Sequence, residues 1–146
     1  GAYALDIQHI GSTAVPGMAA KPIVDILLAV RDYQTGWGCT LSLRKNGYRY
    51  FGESQALNKF LMSRGEPPHV YIYIVGFRSM EYFRYISFRD ILCKDQALAQ
   101  RYAYLKRELA SQYSSDRRAY YESKKSFIES VLETNTTQEH EDDHYP

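Results

Sequence analysis

The chain has 146 residues and a mass of 16.9 kDa, a length suited to one domain with room for a helical extension. Hydrophobic residues make up 45% of it and charged residues 24%, which argues against a disordered, collagen-like or disulfide-scaffold protein. The net charge of +1 conceals a basic body, because residues 1–138 carry 18 basic against 13 acidic side chains, a balance of +5 that suits an anionic ligand.

The first half of the chain carries the patterns of strands and turns. Apolar and polar residues alternate over Leu5–Ile10, and Ile23–Val30 is almost continuously apolar, as in a strand buried on both faces. A helix is predicted from Tyr33 to Asn46, where an Asn-Gly pair supplies a stop signal. Three further strands, rich in aromatic and β-branched residues, are predicted at Tyr48–Phe51, Lys59–Ser63 and Val70–Val75.

After Gly76 the period of the apolar residues becomes helical. Helices are predicted over Ser79–Cys93 and Ala97–Gln112. A last helix is predicted after Ser114-Ser115-Asp116, whose side-chain oxygens can cap it. The apolar stripe of the first of these helices is predicted to consist of Met80, Phe83, Ile86 and Ile91.

These elements predict the fold class α+β, with a small mixed β-sheet, a flanking helix and a C-terminal three-helix segment. We expect a single domain over residues 1–133, with a sheet core over about 1–76 and a helical part over about 79–133. Residues 134–146 are polar and acidic and are expected to form a flexible tail.

Cysteine usage and hydropathy predict the cellular location. The two cysteines, Cys39 and Cys93, form neither a disulfide framework nor a zinc motif, which favours a reducing compartment. The longest apolar run, Ile26–Val30, is too short to span a bilayer. We therefore expect a cytoplasmic protein without a membrane or disulfide partner.

The most informative segment runs from residue 9 to residue 26 and reads HIGSTAVPGMAAKPIVDI. A predicted strand ends there in Gly11-Ser12-Thr13, a turn of small residues whose amides and hydroxyls can approach a phosphate. Lys21 can add a positive charge. Asp25 then lies inside an apolar strand, where a carboxylate is costly unless it is paired or holds a cation.

Each of these residues also has an ordinary structural interpretation. A Gly-Ser-Thr turn is usually only a turn, and an Asp in a strand is more often capped by backbone amides or by an arginine. His9 is more often a structural, hydrogen-bonding histidine than a general base. The residues by themselves therefore predict a candidate anion and metal pocket, and they predict no reaction.

The segment from His9 to Ile26 resembles the signature of the GrpB family, which is grouped with the nucleotidyltransferase fold. Two later segments resemble the family as well. Ser87–Leu92 is similar to its Phe-Arg-Asp-Tyr-Leu segment, and the residues from Tyr102 to Ile128 are similar to its C-terminal helices. The resemblance covers nearly the whole chain and implies a small nucleotidyltransferase-like core with added C-terminal helices.

In that superfamily a Gly-Ser turn precedes an Asp-hydrophobic-acid pair, and a third acid on a later strand completes a site for two magnesium ions. Here 12 residues separate Ser12 from Asp25, which matches the expected spacing. Position 27, however, is Leu27, and the predicted strands Lys59–Ser63 and Val70–Val75 contain no acid. A histidine stands near the third position, as in the His-rich strand typical of GrpB-like proteins.

The resemblance implies a GrpB-like nucleotidyltransferase that binds a magnesium nucleotide at the Gly11-Ser12 turn and transfers a nucleotide to a small molecule. Asp25 and His69 are the expected catalytic residues, and Asp25 is the expected magnesium ligand. The expected phosphate contacts are His9, Gly11, Ser12, Thr13, Lys21 and Arg89. Because the second acid is missing, the alternative is a catalytically degenerate nucleotide- or anion-binding module, with a coenzyme A-related ligand as a further option.

The expected partner is a nucleotide or another phosphorylated small molecule. The arginines of the helical half alternate with acidic residues, as on solvated helix faces, so we do not expect a nucleic-acid partner. The sequence leaves the oligomeric state open. GrpB-like proteins usually carry an aromatic-containing helix before the first strand, and we expect this chain, which begins at that strand, to be truncated, disordered or atypical there.

Overall fold

The structure of the protein is a computed structural model that describes residues 3–18, 20–54 and 59–142. Within these residues it has five strands and four helices, which confirms the predicted α+β class. A short 3-10 turn, Ser12–Ala14, lies between the first two strands. In chain order the elements are β1 (Asp6–Ile10), β2 (Val24–Val30), α1 (Tyr33–Lys45), β3 (Arg49–Ser54), β4 (Lys59–Arg64), β5 (Val70–Gly76), α2 (Met80–Lys94), α3 (Gln96–Gln112) and α4 (Arg117–Asp142).

The strands form one mixed sheet in the order β1-β2-β5-β4-β3, in which β2 and β5 are parallel and the other neighbours are antiparallel. Residues paired across neighbouring strands point to the same face of a sheet. Two rows of paired residues matter below. The Asp25 row consists of Asp25, Tyr71 and Ser63, and the Leu27 row consists of Leu27, Tyr73 and Leu61.

Helix α1 covers one face of the sheet. Asp32 caps its first turn by accepting the N–H of Thr35 at 2.8 Å. A side-chain carbon at Gly36 would come within 2.6 Å of the Phe60 ring, so this glycine allows the helix to lie close to the sheet. The buried residues of this core are Val30, Cys39, Phe60, Met62, Ile72 and Ile74.

The part of α2 up to Arg89 covers the opposite face, but not with the predicted stripe. Met80 is 80% exposed and Phe83 is 51% exposed, whereas Tyr82 is buried. The prediction was wrong at these positions because Tyr82 buries its ring while its hydroxyl finds a hydrogen-bond partner on β1. The buried residues of this second core are Ile10, Leu27, Ala29, Val75 and Tyr82.

The chain divides into two compact units, residues 1–89 and 90–146, and the boundary falls inside α2. In the second unit α3 packs against α4, and the rings of Tyr102 and Phe127 stack with their centroids 5.6 Å apart. Helix α4 continues to Asp142, through much of the predicted tail, while residues 143–146 lie outside the described residues. The single domain over residues 1–133 stays a prediction.

The two cysteines of the chain form no disulfide: Cys39 is buried and Cys93 is exposed. Of the helices in the described part of the chain, none combines the length and the apolarity needed to cross a membrane.

Candidate functional site

The turn that follows β1 lies directly against the carboxylate of Asp25. Ile10, the last residue of β1, pairs with Asp25 on β2, so the next residue, Gly11, passes beside the Asp25 side chain. A side-chain carbon at Gly11 would overlap with Oδ2 of Asp25, and the φ angle of Gly11 is +77°. Only glycine adopts this conformation readily and leaves room for the carboxylate. The turn expected to bind phosphate and the acid expected to bind magnesium are therefore in contact.

The residues after Gly11 form a tight turn fixed by short-range hydrogen bonds. The N–H of Ala14 donates to the carbonyl of Gly11 at 3.1 Å, and the N–H of Val15 donates to the carbonyl of Ser12 at 3.2 Å. The hydroxyl of Thr13 donates to the carbonyl of Ile23 at 3.4 Å. Thr13 thus links the turn to the residue that precedes β2.

His9 lies on the other face of the sheet from Asp25. It pairs with Ile26, which packs in the core beneath α1, whereas Asp25 pairs with Ile10, which is buried beneath α2. The ring of His9 is exposed, and its Nε2 lies 2.9 Å from the hydroxyl of Thr13. His9 therefore meets the turn from the α1 side, and its role in phosphate binding stays a prediction.

His69 and Lys21 are less closely tied to Asp25. The carbonyl of His69 accepts the N–H of Val24 at 2.9 Å, which places the His69 backbone beside the start of β2. The ring of His69 packs on Gly65, where a side-chain carbon would overlap with Nδ1. Lys21 is exposed in the loop before β2. The catalytic role of His69 and the phosphate contact of Lys21 stay predictions.

Arg89 reaches β1 from α2 and joins a network of polar side chains. Its Nη1 donates to Oε1 of Gln8 at 2.7 Å and to the carbonyl of His9 at 3.1 Å. Nε2 of Gln8 donates to the Asp6 carboxylate at 3.0 Å, and the hydroxyl of Tyr82 donates to the same carboxylate at 2.6 Å. Arg89 thus brings a positive charge to β1, near the residues that lead into the Gly11 turn.

The hydrogen bonds of this network shift the pKa values of two groups. The bond from Tyr82, and then that from Gln8, lower the pKa of Asp6 because both stabilise the charged carboxylate. The bond to Asp6 in turn raises the pKa of Tyr82. The sequence predictions missed Asp6, Gln8 and Tyr82, since Asp6 and Tyr82 are 76 positions apart and no local pattern connects them.

The comparison with known proteins decides the family. The family described as GrpB protein matches residues 2–134 of the chain. The chain belongs to the GrpB family. Its fold is similar to that of the conserved protein GrpB from Enterococcus faecalis, with a TM-score of 0.75 and 28% identity, over 91% of this chain and 83% of that one.

Curated relatives agree with this assignment. The chain is 35% identical over 130 residues to UPF0157 protein YqkA of Bacillus subtilis, an overlap of 87% of this chain and 37% of that protein. It is 31% identical over 134 residues to the glutamate-rich protein GrpB of Alkalihalophilus pseudofirmus, an overlap of 87% and 76%. The chain therefore spans little more than a third of the length of the Bacillus subtilis relative.

In this GrpB chain the position of the second expected acid belongs to the hydrophobic core. Leu27 is 0% exposed in the cluster beneath α2, and the residue beside Asp25 on β5 is Tyr71. Among the described residues, no three or more His, Cys, Asp or Glu side chains are grouped so as to hold a metal ion. A single carboxylate still suits magnesium when phosphate oxygens and water complete its coordination. Magnesium binding at Asp25 stays a prediction.

Proposed function

We propose that this GrpB chain binds a magnesium nucleotide, or another phosphorylated small molecule, at the Gly11-Ser12 turn and Asp25. The observation that supports the proposal is the contact between Gly11 and the Asp25 carboxylate. A phosphate at this turn would lie close to the negative charge of Asp25, and the two anions would repel each other. A magnesium ion between them turns this repulsion into attraction, and magnesium commonly joins one carboxylate to phosphate oxygens.

Binding with a single cation is the function that the donor set favours. A two-metal reaction needs several carboxylates to balance the charge of two magnesium ions. Position 27 is closed by the core beneath α2, and Tyr71 stands beside Asp25. Nucleotidyl transfer to a small-molecule acceptor is the second candidate, which the spacing of Ser12 and Asp25 favours. A coenzyme A-related ligand falls in the same chemical class of phosphorylated compounds.

Positive side chains near the turn support an anionic ligand. Arg89 holds its guanidinium 3.1 Å from the carbonyl of His9, just before the turn, and Lys21 is exposed in the loop that leads to β2. With a magnesium ion at Asp25, these charges would outweigh the single carboxylate. We therefore expect affinity for phosphates to depend on magnesium and to fall as the salt concentration rises.

The experiment is titration calorimetry of the parent chain and of Asp25→Asn with ATP, GTP, CTP and UTP, each with and without magnesium. We expect the parent to bind at least one nucleotide in the presence of magnesium. Asp25→Asn should bind it about tenfold more weakly or worse, because one charged magnesium ligand is lost. The free energy of unfolding should change by less than about 1 kcal/mol, as for a substitution that preserves shape.

Asp116→Asn is the matched control. It removes the same charge in the second unit and keeps an oxygen that can accept the N–H of Ala119, as Asp116 does at 3.0 Å. Its nucleotide affinity should equal that of the parent. Absence of magnesium-dependent binding in the parent would overturn the proposal. Incorporation of labelled nucleotide into any acceptor, abolished by Asp25→Asn, would show transfer in place of simple binding.

A further inference from the structure

We propose that the ligand of the Asp25 site carries an aromatic base and that this base packs against Tyr71 and Phe51. The inference rests on the proposed function and narrows its ligand from any phosphorylated compound to a nucleotide. Two observations carry it: the position of Tyr71 in the sheet beside Asp25, and the exposure of Phe51 next to Tyr71.

Tyr71 is the direct neighbour of Asp25 on β5. The two strands are parallel, so the paired side chains leave the same face of the sheet, with their backbones about 4.8 Å apart. Tyr71 is partly buried. A ligand whose phosphates lie at the Gly11 turn therefore has an aromatic side chain within one strand spacing of its cation.

Phe51 lies next to Tyr71, on the side away from Asp25, and adds a second aromatic ring. It lies at an irregularity of β3, where the pairing with β4 shifts between Tyr50 and Gly52. Tyr50 packs in the core beneath α1, whereas Phe51 is 60% exposed and meets the ring of Tyr71 edge to face, at a centroid distance of 6.4 Å and an angle of 84°. Irregularities of this kind redirect a side chain from the regular alternation of a strand. Here it brings a second ring to the face that carries Asp25.

The neighbouring tyrosine of β5 provides a contrast. The ring of Tyr73 packs against Tyr85 of α2 at a centroid distance of 5.3 Å, and Nζ of Lys59 lies 5.6 Å from it. The ring of Tyr73 is therefore engaged in packing against α2. Phe51, with more than half of its surface exposed, leaves a ring on which a base can stack, and base stacking on aromatic side chains tolerates any base.

The test compares magnesium ATP with magnesium tripolyphosphate, which has the phosphates and no base. Binding of both is measured by calorimetry in the parent, in Phe51→Ala and in Phe83→Ala. Phe83 is the matched control, since it is 51% exposed and also meets a tyrosine, Tyr82, edge to face at 5.3 Å. Phe51→Ala should weaken ATP binding roughly 5- to 150-fold and leave tripolyphosphate binding unchanged. Phe83→Ala should change neither.

The outcomes separate this inference from the proposed function. If the parent binds tripolyphosphate as tightly as ATP, or if Phe51→Ala binds ATP as the parent does, base stacking is overturned and phosphate binding stands. If the parent binds neither ligand, both proposals fail. Tyr71→Leu serves as a second variant and should show the same selective loss of ATP affinity, checked against its own unfolding curve.

Discussion

Two neighbouring rows on the same face of the sheet differ in what they can do. The Asp25 row carries a carboxylate, a phenol and a hydroxyl, whereas the Leu27 row lies under α2, with Leu27 fully buried and Tyr73 packed on Tyr85. The rows are two residues apart along each strand, or about 7 Å. Within that distance the sheet changes from the partly exposed Asp25 and Tyr71 to the fully buried Leu27, although the neighbours Ile10 and Ser63 in the Asp25 row are buried as well.

The difference bears on the two positions, 25 and 27, at which the resemblance to the superfamily led us to expect an acid. An acid at position 27 would face the apolar cluster of Ile10, Ala29, Val75 and Tyr82, where burial of a carboxylate is costly. Asp25 lies beside the glycine turn and is partly exposed. The core beneath α2 therefore disfavours an acid at position 27, whereas the fold accepts one at position 25.

Leu27→Asp would break this comparison and should have the largest effect. We expect it to lower the free energy of unfolding by at least about 3–5 kcal/mol, because a carboxylate would replace an apolar side chain at a fully buried position. Urea denaturation measures the change, and Leu27→Met, which conserves volume, should cost less than about 1.5 kcal/mol. If Leu27→Asp were as stable as the parent and bound magnesium nucleotide more tightly, the Leu27 row would accept a metal ion and the comparison would be wrong.

Gly11→Ala tests the contact between the Gly11 turn and the carboxylate of Asp25. Gly17→Ala is its control, because Gly17 also has a positive φ, of 74°, and a side-chain carbon there would meet nothing within 4 Å. Gly17→Ala should destabilise the protein by about 1–2 kcal/mol through backbone strain. Gly11→Ala should cost at least about 1 kcal/mol more, because the backbone region is less accessible and the new carbon overlaps with Asp25.

The double variant Gly11→Ala/Asp25→Ala isolates the overlap from the backbone strain. Removal of the carboxylate relieves the overlap, so the Gly11 substitution should be less destabilising in this background than in the parent. Equal destabilisation in both backgrounds would mean that the Gly11 turn and the Asp25 carboxylate are not in contact in solution.

The sequence assigned the turn and Asp25 to one candidate pocket, and the contact between them depends on neighbours along the chain. Leu5–Ile10 and Ile23–Val30 both read as strands, and an antiparallel pairing of consecutive strands brings the end of one to the start of the next. The face of His9 is a different matter. A shift of one residue in the register reverses the face of every side chain in a strand, and no local pattern fixes that register. The sequence therefore could not predict that His9 lies on the α1 face, where the structure places it.

The helix stripe and the polar network were beyond prediction for a related reason. Several apolar residues of α2 can form a stripe at helical spacing, and contact with the sheet selects which of them are buried. The sheet selects Tyr82, whose hydroxyl bonds to Asp6 on an edge strand that is distant in sequence. A pairing between distant residues of this kind leaves no periodic signal in either segment.

Tyr82→Phe sharpens the comparison from a third position on the same face, where a polar contact stabilises the fold. Loss of the hydroxyl removes a 2.6 Å hydrogen bond to the Asp6 carboxylate and should lower the free energy of unfolding by about 1–2 kcal/mol at neutral pH.

The pKa of Asp6 is lowered in the folded protein, so this stability is present above the unfolded-state pKa of about 4 and is lost as the pH falls through the folded-state value. The difference between parent and variant should therefore shrink in acid, as measured by urea denaturation at about pH 7, 5 and 3.5. Tyr104→Phe, the same change at an exposed position of the second unit, should show no such dependence. A difference for Tyr82→Phe that stays constant from neutral to acidic pH would mean that the hydroxyl is not coupled to the Asp6 carboxylate.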